Sequence, residues 1–229
     1  MLVHLIQEAM RRVTMSKSTF LGSLCLALSL FTPVGDLQGE TRKQTALSHI
    51  ELGDKLVHQG DFDRAIGAYN IAVQFAPDFA PAYFKRALAH EARGDFSKAI
   101  ADYTKTLELV PGLTTALYNR GNLRLNQDDF DGALSDFDKA LESDPQCVMA
   151  YNNRGIARIA KGDMEGAIAD FNQAINIDPH HPEAYVNRGL VRLQQGMKVE
   201  AEHDFARSIA VKPSLKTFID SRINQISQK

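Results

Sequence analysis

VMAYNNRGIARIAKGDMEGAIADFNQAINIDPHH, residues 148–181, sets the frame for the whole chain because its landmarks return at a fixed interval. Pro179 belongs to a series, Pro77, Pro111, Pro145, Pro179 and Pro213, spaced 34 residues apart. A constant period of this length marks a repeat architecture. Units closing two residues after each proline run 46–79, 80–113, 114–147, 148–181 and 182–215. The twentieth place of each unit is Ala65, Ala99, Ala133, Ala167 and Ala201, and the twenty-fourth is Tyr69, Tyr103, Phe137, Phe171 and Phe205. A small residue one turn before an aromatic lies on one helix face. The eighth place is Gly53, Ala87, Gly121, Gly155 and Gly189, small enough for a neighbouring helix to approach closely. These columns predict two packed helices per unit. Gly60, Gly94, Gly162 and Gly196 fall between them, where a left-handed residue ends a helix at little steric cost. Asp61, Asp95, Asp129 and Asp163 follow as expected N-caps.

The pattern resembles the tetratricopeptide repeat, whose signature is partly matched by Tyr151, Gly155, Ala167, Phe171 and Pro179. The resemblance covers about three quarters of the chain. It implies an all-α, right-handed superhelical solenoid of five helix pairs over 46–215, acting by binding protein rather than by chemistry. The Asn-Arg-Gly style of units three to five is similar to exported bacterial members of the family, cyanobacterial ones in particular. After the fifth unit, Leu215, Phe218, Ile219, Arg222, Ile223 and Ile226 recur at three to four residues. An amphipathic capping helix is therefore expected over 216–229, covering the last apolar face as solenoids require.

Residues 1–45 have another character. Arg11, Arg12 and Lys17 precede the 12-residue block FLGSLCLALSLF, Phe20 to Phe31, and the breaker-rich TPVGDLQG follows. This is the pattern of a secretory leader, with Met1 or Met15 as the start. The block is short of the roughly 20 residues a spanning helix needs. Export to a periplasmic, lumenal or secreted location is expected if the leader is a signal peptide; if it is not, the chain is membrane-anchored or cytoplasmic, and membrane contact runs only through an uncleaved leader. The two cysteines, Cys25 and Cys147, give neither a disulfide framework nor a thiolate zinc site. With 26 Lys plus Arg against 28 Asp plus Glu, the chain has no basic footprint for nucleic acid.

Where the family prefers Leu and Tyr on the first helix, the seventh place reads Leu52, Arg86, Arg120, Arg154 and Arg188, and the eleventh reads Leu56, His90, Arg124, Arg158 and Arg192. The twenty-third place, on the second helix, reads Ala68, Asp102, Asp136, Asp170 and Asp204. Acid appears only in units that carry arginine at the seventh place. A buried guanidinium is costly unless a carboxylate meets it, best in a bidentate pair. A structural ladder of Arg86 with Asp102, Arg120 with Asp136, Arg154 with Asp170 and Arg188 with Asp204 is predicted. Arginines paired in this way have few donors left for a ligand.

Repeat arrays bind through the concave wall built by the first helices. By resemblance the groove includes the sixth place, Glu51, Lys85, Asn119, Asn153 and Asn187, and the fifth, with Phe84, Tyr118 and Asn152. Asn122 adds to the row. Each amide carries donor and acceptor and suits the repeating peptide groups of an extended segment, or else bonds to loops of the adjacent unit. The candidate binding residues are Phe84, Lys85, Tyr118, Asn119, Asn122, Asn152, Asn153 and Asn187. Tyr118, Asn152 and Glu183 stand where a clamp for a chaperone's terminal carboxylate would need basic groups. No Ser/His/Asp set, phosphate loop or HExxH occurs, so no catalytic residue, cofactor or metal is expected. His180 and His181 lack a third ligand, and Cys147 lacks a neighbouring base. The expected function is a non-enzymatic scaffold or adaptor for a peptide segment; the alternative is a structural or assembly subunit of a membrane-associated complex.

Overall fold

The computed structural model describes residues 37–227, so the leader read over 1–45 lies outside the described residues up to residue 36. Eleven α-helices follow: α1 Leu37–His58, α2 Phe62–Phe75, α3 Ala80–Arg93, α4 Phe96–Leu109, α5 Thr114–Asn126, α6 Phe130–Ser143, α7 Val148–Ala160, α8 Met164–Ile177, α9 Pro182–Gln194, α10 Lys198–Val211 and α11 Lys216–Ser227. One turn of 3-10 helix, Pro213–Leu215, precedes α11. Among the described residues there is no strand, and the fold is five helix pairs followed by a closing helix. The second helices, α2, α4, α6, α8 and α10, are each 14 residues long and start at the same place in every period. Helix α1 begins at Leu37, inside the stretch read as leader and linker. The period marks joints between units, and no earlier proline of the series ends this helix. No described helix is long and apolar enough to cross a membrane.

The described chain forms two compact bodies, 37–116 and 117–227. In the N-terminal body α1 packs on α2, α2 on α3 and α3 on α4. Its core contains Ala65, Ala99, Tyr69 and Tyr103, all almost fully buried. In the C-terminal body α6 packs on α7, α7 on α8, α8 on α9 and α9 on α10, and α11, whose Ile219 is buried, lies on α9. Ala133, Ala167, Phe137 and Phe171 are at 0% exposure there. The small residue at the eighth place lets the paired helix lean in: a Cβ on Gly155 would sit 2.6 Å from Cε1 of Phe171.

Local chemistry sets the joints. Asp61, Asp129 and Asp163 cap the second helices, accepting from the backbone N–H of Arg64, Gly132 and Gly166 at 3.1, 3.0 and 2.8 Å. These bonds satisfy otherwise orphaned donors of the first turn. Asp95 departs from that expectation. It holds the cap position of α4 without a side-chain cap bond. Its carboxylate instead faces three basic side chains, Arg93, whose Nε lies at 3.0 Å, His90 at 3.4 Å and Lys98 at 3.6 Å. Gly162, with φ near +84°, makes the left-handed turn expected between α7 and α8. In the third unit that turn falls to Asp128, with φ near +61°.

Candidate functional site

The arginines of the first helices point toward the second helices. In the N-terminal body the Arg86 guanidinium grips Asp102 with Nε at 2.8 Å and Nη2 at 2.6 Å, and its Nη1 donates to Asn70 on α2 at 2.8 Å. In the C-terminal body Arg120 grips Asp136 at 2.9 and 2.6 Å, Arg154 grips Asp170 at 3.0 and 2.6 Å, and Arg188 grips Asp204 at 3.0 and 2.6 Å. Each of these three aspartates also meets a second cation at 2.8 Å, from Arg124, Arg158 and Arg192 respectively. Arg154 and Arg188 reach back a further step, to Asp138 at 2.7 Å and Asn172 at 2.6 Å on the preceding second helix. Each such arginine thus fastens its own helix pair and ties it to the one before. With all three nitrogens of Arg86, Arg154 and Arg188 engaged inside their own bodies and their charge met by aspartate, these guanidiniums offer little to an external anion.

His90 stands where later units carry the second arginine. It is buried, its Nδ1 has no hydrogen-bond partner, and Asp95 lies 3.4 Å away. Burial pushes its pKa down, against the pull of Asp102 and Asp95. Burial pushes His181 down as well. With the folded pKa below the unfolded one, the unfolded chain takes up the proton first, so stability is full above the ordinary histidine range and falls as pH drops through it. The urea midpoint is therefore expected to fall between about pH 7.5 and pH 5.5, and to fall less in His90→Gln. An equal fall in the two proteins would remove His90 as a source of the effect.

The asparagines of α5, α7 and α9 form one connected chain. Asn187 Nδ2 donates to Asn152 Oδ1 at 2.9 Å, Asn152 Nδ2 to Asn153 Oδ1 at 3.0 Å, and Asn153 Nδ2 to Asn122 Oδ1 at 2.7 Å. Asn153 also reaches the Tyr118 hydroxyl at 3.3 Å. Asn152, Asn153 and Asn187 are buried, while Tyr118, Asn119 and Asn122 are half-buried. Buried amides need partners, and here they supply them to one another. The arrangement differs from a row of independent readers. Three of the four side-chain carbonyls accept from a neighbouring amide, and among the described residues the Asn122 NH2 and the Asn187 carbonyl are the open ends of the chain. Because Asn153 pins the Asn122 carbonyl, the NH2 of Asn122 is held in one orientation.

In the N-terminal body Phe84 is half-buried, its ring centroid 5.8 Å from that of Tyr103. Lys85 is not a solvated lysine: its Nζ lies 2.9 Å from Asp54 Oδ2, while the Tyr69 hydroxyl donates to Asp54 Oδ1 at 2.6 Å. The Tyr103 hydroxyl donates to Glu91 Oε2 at 2.8 Å, and burial pushes the Glu91 carboxyl up. Sequence reasoning missed these two acid–tyrosine pairs. Their signal was available, since the aromatic column reads Tyr in the two units that place Asp54 and Glu91 on the first helix and Phe in the others. Among the described residues no group of three His, Cys, Asp or Glu side chains is placed to hold a metal ion. Burial pushes the half-buried Cys147 thiol up, away from the reactive thiolate.

The family model described as Tetratricopeptide repeat matches residues 50–113 and 118–182, more than half of the chain. A search of curated proteins finds no match. Among solved structures, MamA from Desulfovibrio magneticus RS-1 is 18% identical, covering 74% of this chain and 96% of that chain at a TM-score of 0.70. YrrB, described as a TPR protein with an unusual peptide-binding site, is 17% identical, covering 85% of this chain and 99% of that chain at a TM-score of 0.68. The pilF protein of Pseudomonas aeruginosa is 18% identical, covering 81% of this chain and 90% of that chain at a TM-score of 0.64. At these identities the likeness is one of fold.

Proposed function

Because the chain belongs to the tetratricopeptide-repeat family, a family of protein-interaction scaffolds, we propose that it is a non-catalytic adaptor whose C-terminal body holds a polypeptide segment against α5, α7 and α9. The observation that carries this reading is the pinned amide chain. A segment laid along these helices can offer a carbonyl to the Asn122 NH2, which is already oriented, so little entropy is lost in forming that bond. Tyr118, whose hydroxyl accepts from Asn153, and Met149, one helical turn before Asn153 and 51% exposed, supply apolar surface. The peptide-binding site named for YrrB supports the same use of a shared fold.

Asn122→Ala removes the open donor together with the 2.7 Å acceptor of Asn153, which keeps the Tyr118 hydroxyl at 3.3 Å, while the Asn187–Asn152 and Asn152–Asn153 bonds are not touched. Peptides selected on the native full-length chain are expected to bind this variant about tenfold more weakly, the effect of losing roughly one bond of 1.4 kcal/mol. Binding can be followed by fluorescence anisotropy, with circular dichroism as the check on folding. Unchanged affinity in a folded variant would remove α5 from the site.

A further inference from the structure

The first helices of the C-terminal body carry seven ionised side chains, Arg120 and Arg124 on α5, Arg154 and Arg158 on α7, and Glu183, Arg188 and Arg192 on α9. All are engaged within the body. The six arginines meet Asp136, Asp170 and Asp204, and Glu183 meets Lys212 at 3.1 Å. The rest of these three helices is uncharged. The amide chain, with Tyr118 bonded to it and Met149 one helical turn before Asn153, presents hydrogen-bonding and apolar groups and no free ion of either sign. In the N-terminal body the sixth place carries Lys85, paired with Asp54, where α5, α7 and α9 carry asparagine.

We propose that the segment taken up by the C-terminal body is uncharged, built of apolar and amide-bearing residues, and that its binding is almost independent of salt. This rests on the reading of α5, α7 and α9 as the binding wall. A carboxylate brought to the wall would lose water and gain no cation, because the guanidiniums are already committed to aspartates. An ammonium group would lose water and find only amide and tyrosine oxygens, which replace its hydration incompletely. An uncharged segment avoids both costs. Its backbone carbonyl or side-chain amide suits the Asn122 NH2, and an apolar side chain suits the flexible thioether of Met149. With no ion pair across the contact there is no attraction for salt to screen.

The test is selection of random peptides about twelve residues long, displayed on phage, against the immobilised full-length chain, with anisotropy on the winners at roughly 0.05 and 0.5 M NaCl. The expected result is enrichment of peptides without charged residues in their shared core, with Kd changing less than about twofold between the two salt concentrations. Enrichment of acidic or basic peptides that weaken about tenfold in high salt and depend on Asn122 overturns this proposal and leaves the wall standing. Winners that bind native chain and Asn122→Ala alike, or no enrichment at all, overturn both.

Discussion

Asp170→Ala is expected to lower the free energy of unfolding by about 3 kcal/mol, at the lower end of the range for breaking a buried pair. Asp170 is 2% exposed and accepts from Arg154 at 3.0 and 2.6 Å, with Arg158 at 2.8 Å. Removing it leaves two cations facing each other with no anion between them. Both keep some contact with water, at 16% and 28% exposure, and Arg154 retains Asp138, which is why the upper end of the range is not reached. Asp102→Ala is expected to lose less, because His90 replaces the second guanidinium there. Urea titration with an unchanged m-value reads both. A loss below about 1 kcal/mol for Asp170→Ala would show that water already satisfies these arginines.

Gly155→Val is expected to cost about 2–3 kcal/mol, the size of overpacking in a close-packed interior. The space a Cβ would need is held by the Phe171 ring, which is fully buried and cannot retreat into solvent. Valine also gains less helix propensity over glycine than alanine does, so the steric cost is not masked. In the Phe171→Leu background, where the ring is gone, the same substitution should cost at least about 1 kcal/mol less. Equal costs in the two backgrounds would mean that the α7–α8 approach is not what the glycine serves.

How far these features could be read in advance depended on how local their physics is. The 34-residue period, the alanine and aromatic columns and the glycine turns follow from spacing along a helix, and α2 to α10 fall where that spacing puts them. Arg120, Arg154 and Arg188 could be matched with Asp136, Asp170 and Asp204 because ionised groups in core-forming places must meet opposite charge, and the only acids that vary in step lie on the partner helix. Asp95 escaped, since its carboxylate sits among Arg93, His90 and Lys98 and makes no cap bond. Asp128 escaped because a non-glycine residue fills a turn that the other units give to glycine.

The amino-acid order therefore settled the helices of the repeats, the glycine joints and four Arg–Asp pairs between partner helices. Only the folded arrangement decided the amide wall. An asparagine can donate and accept with equal ease, so its identity names no partner. It took the approach of α5, α7 and α9 to turn Asn153 toward Asn122 and Asn187 toward Asn152, binding four of the five expected readers into one chain with one oriented NH2.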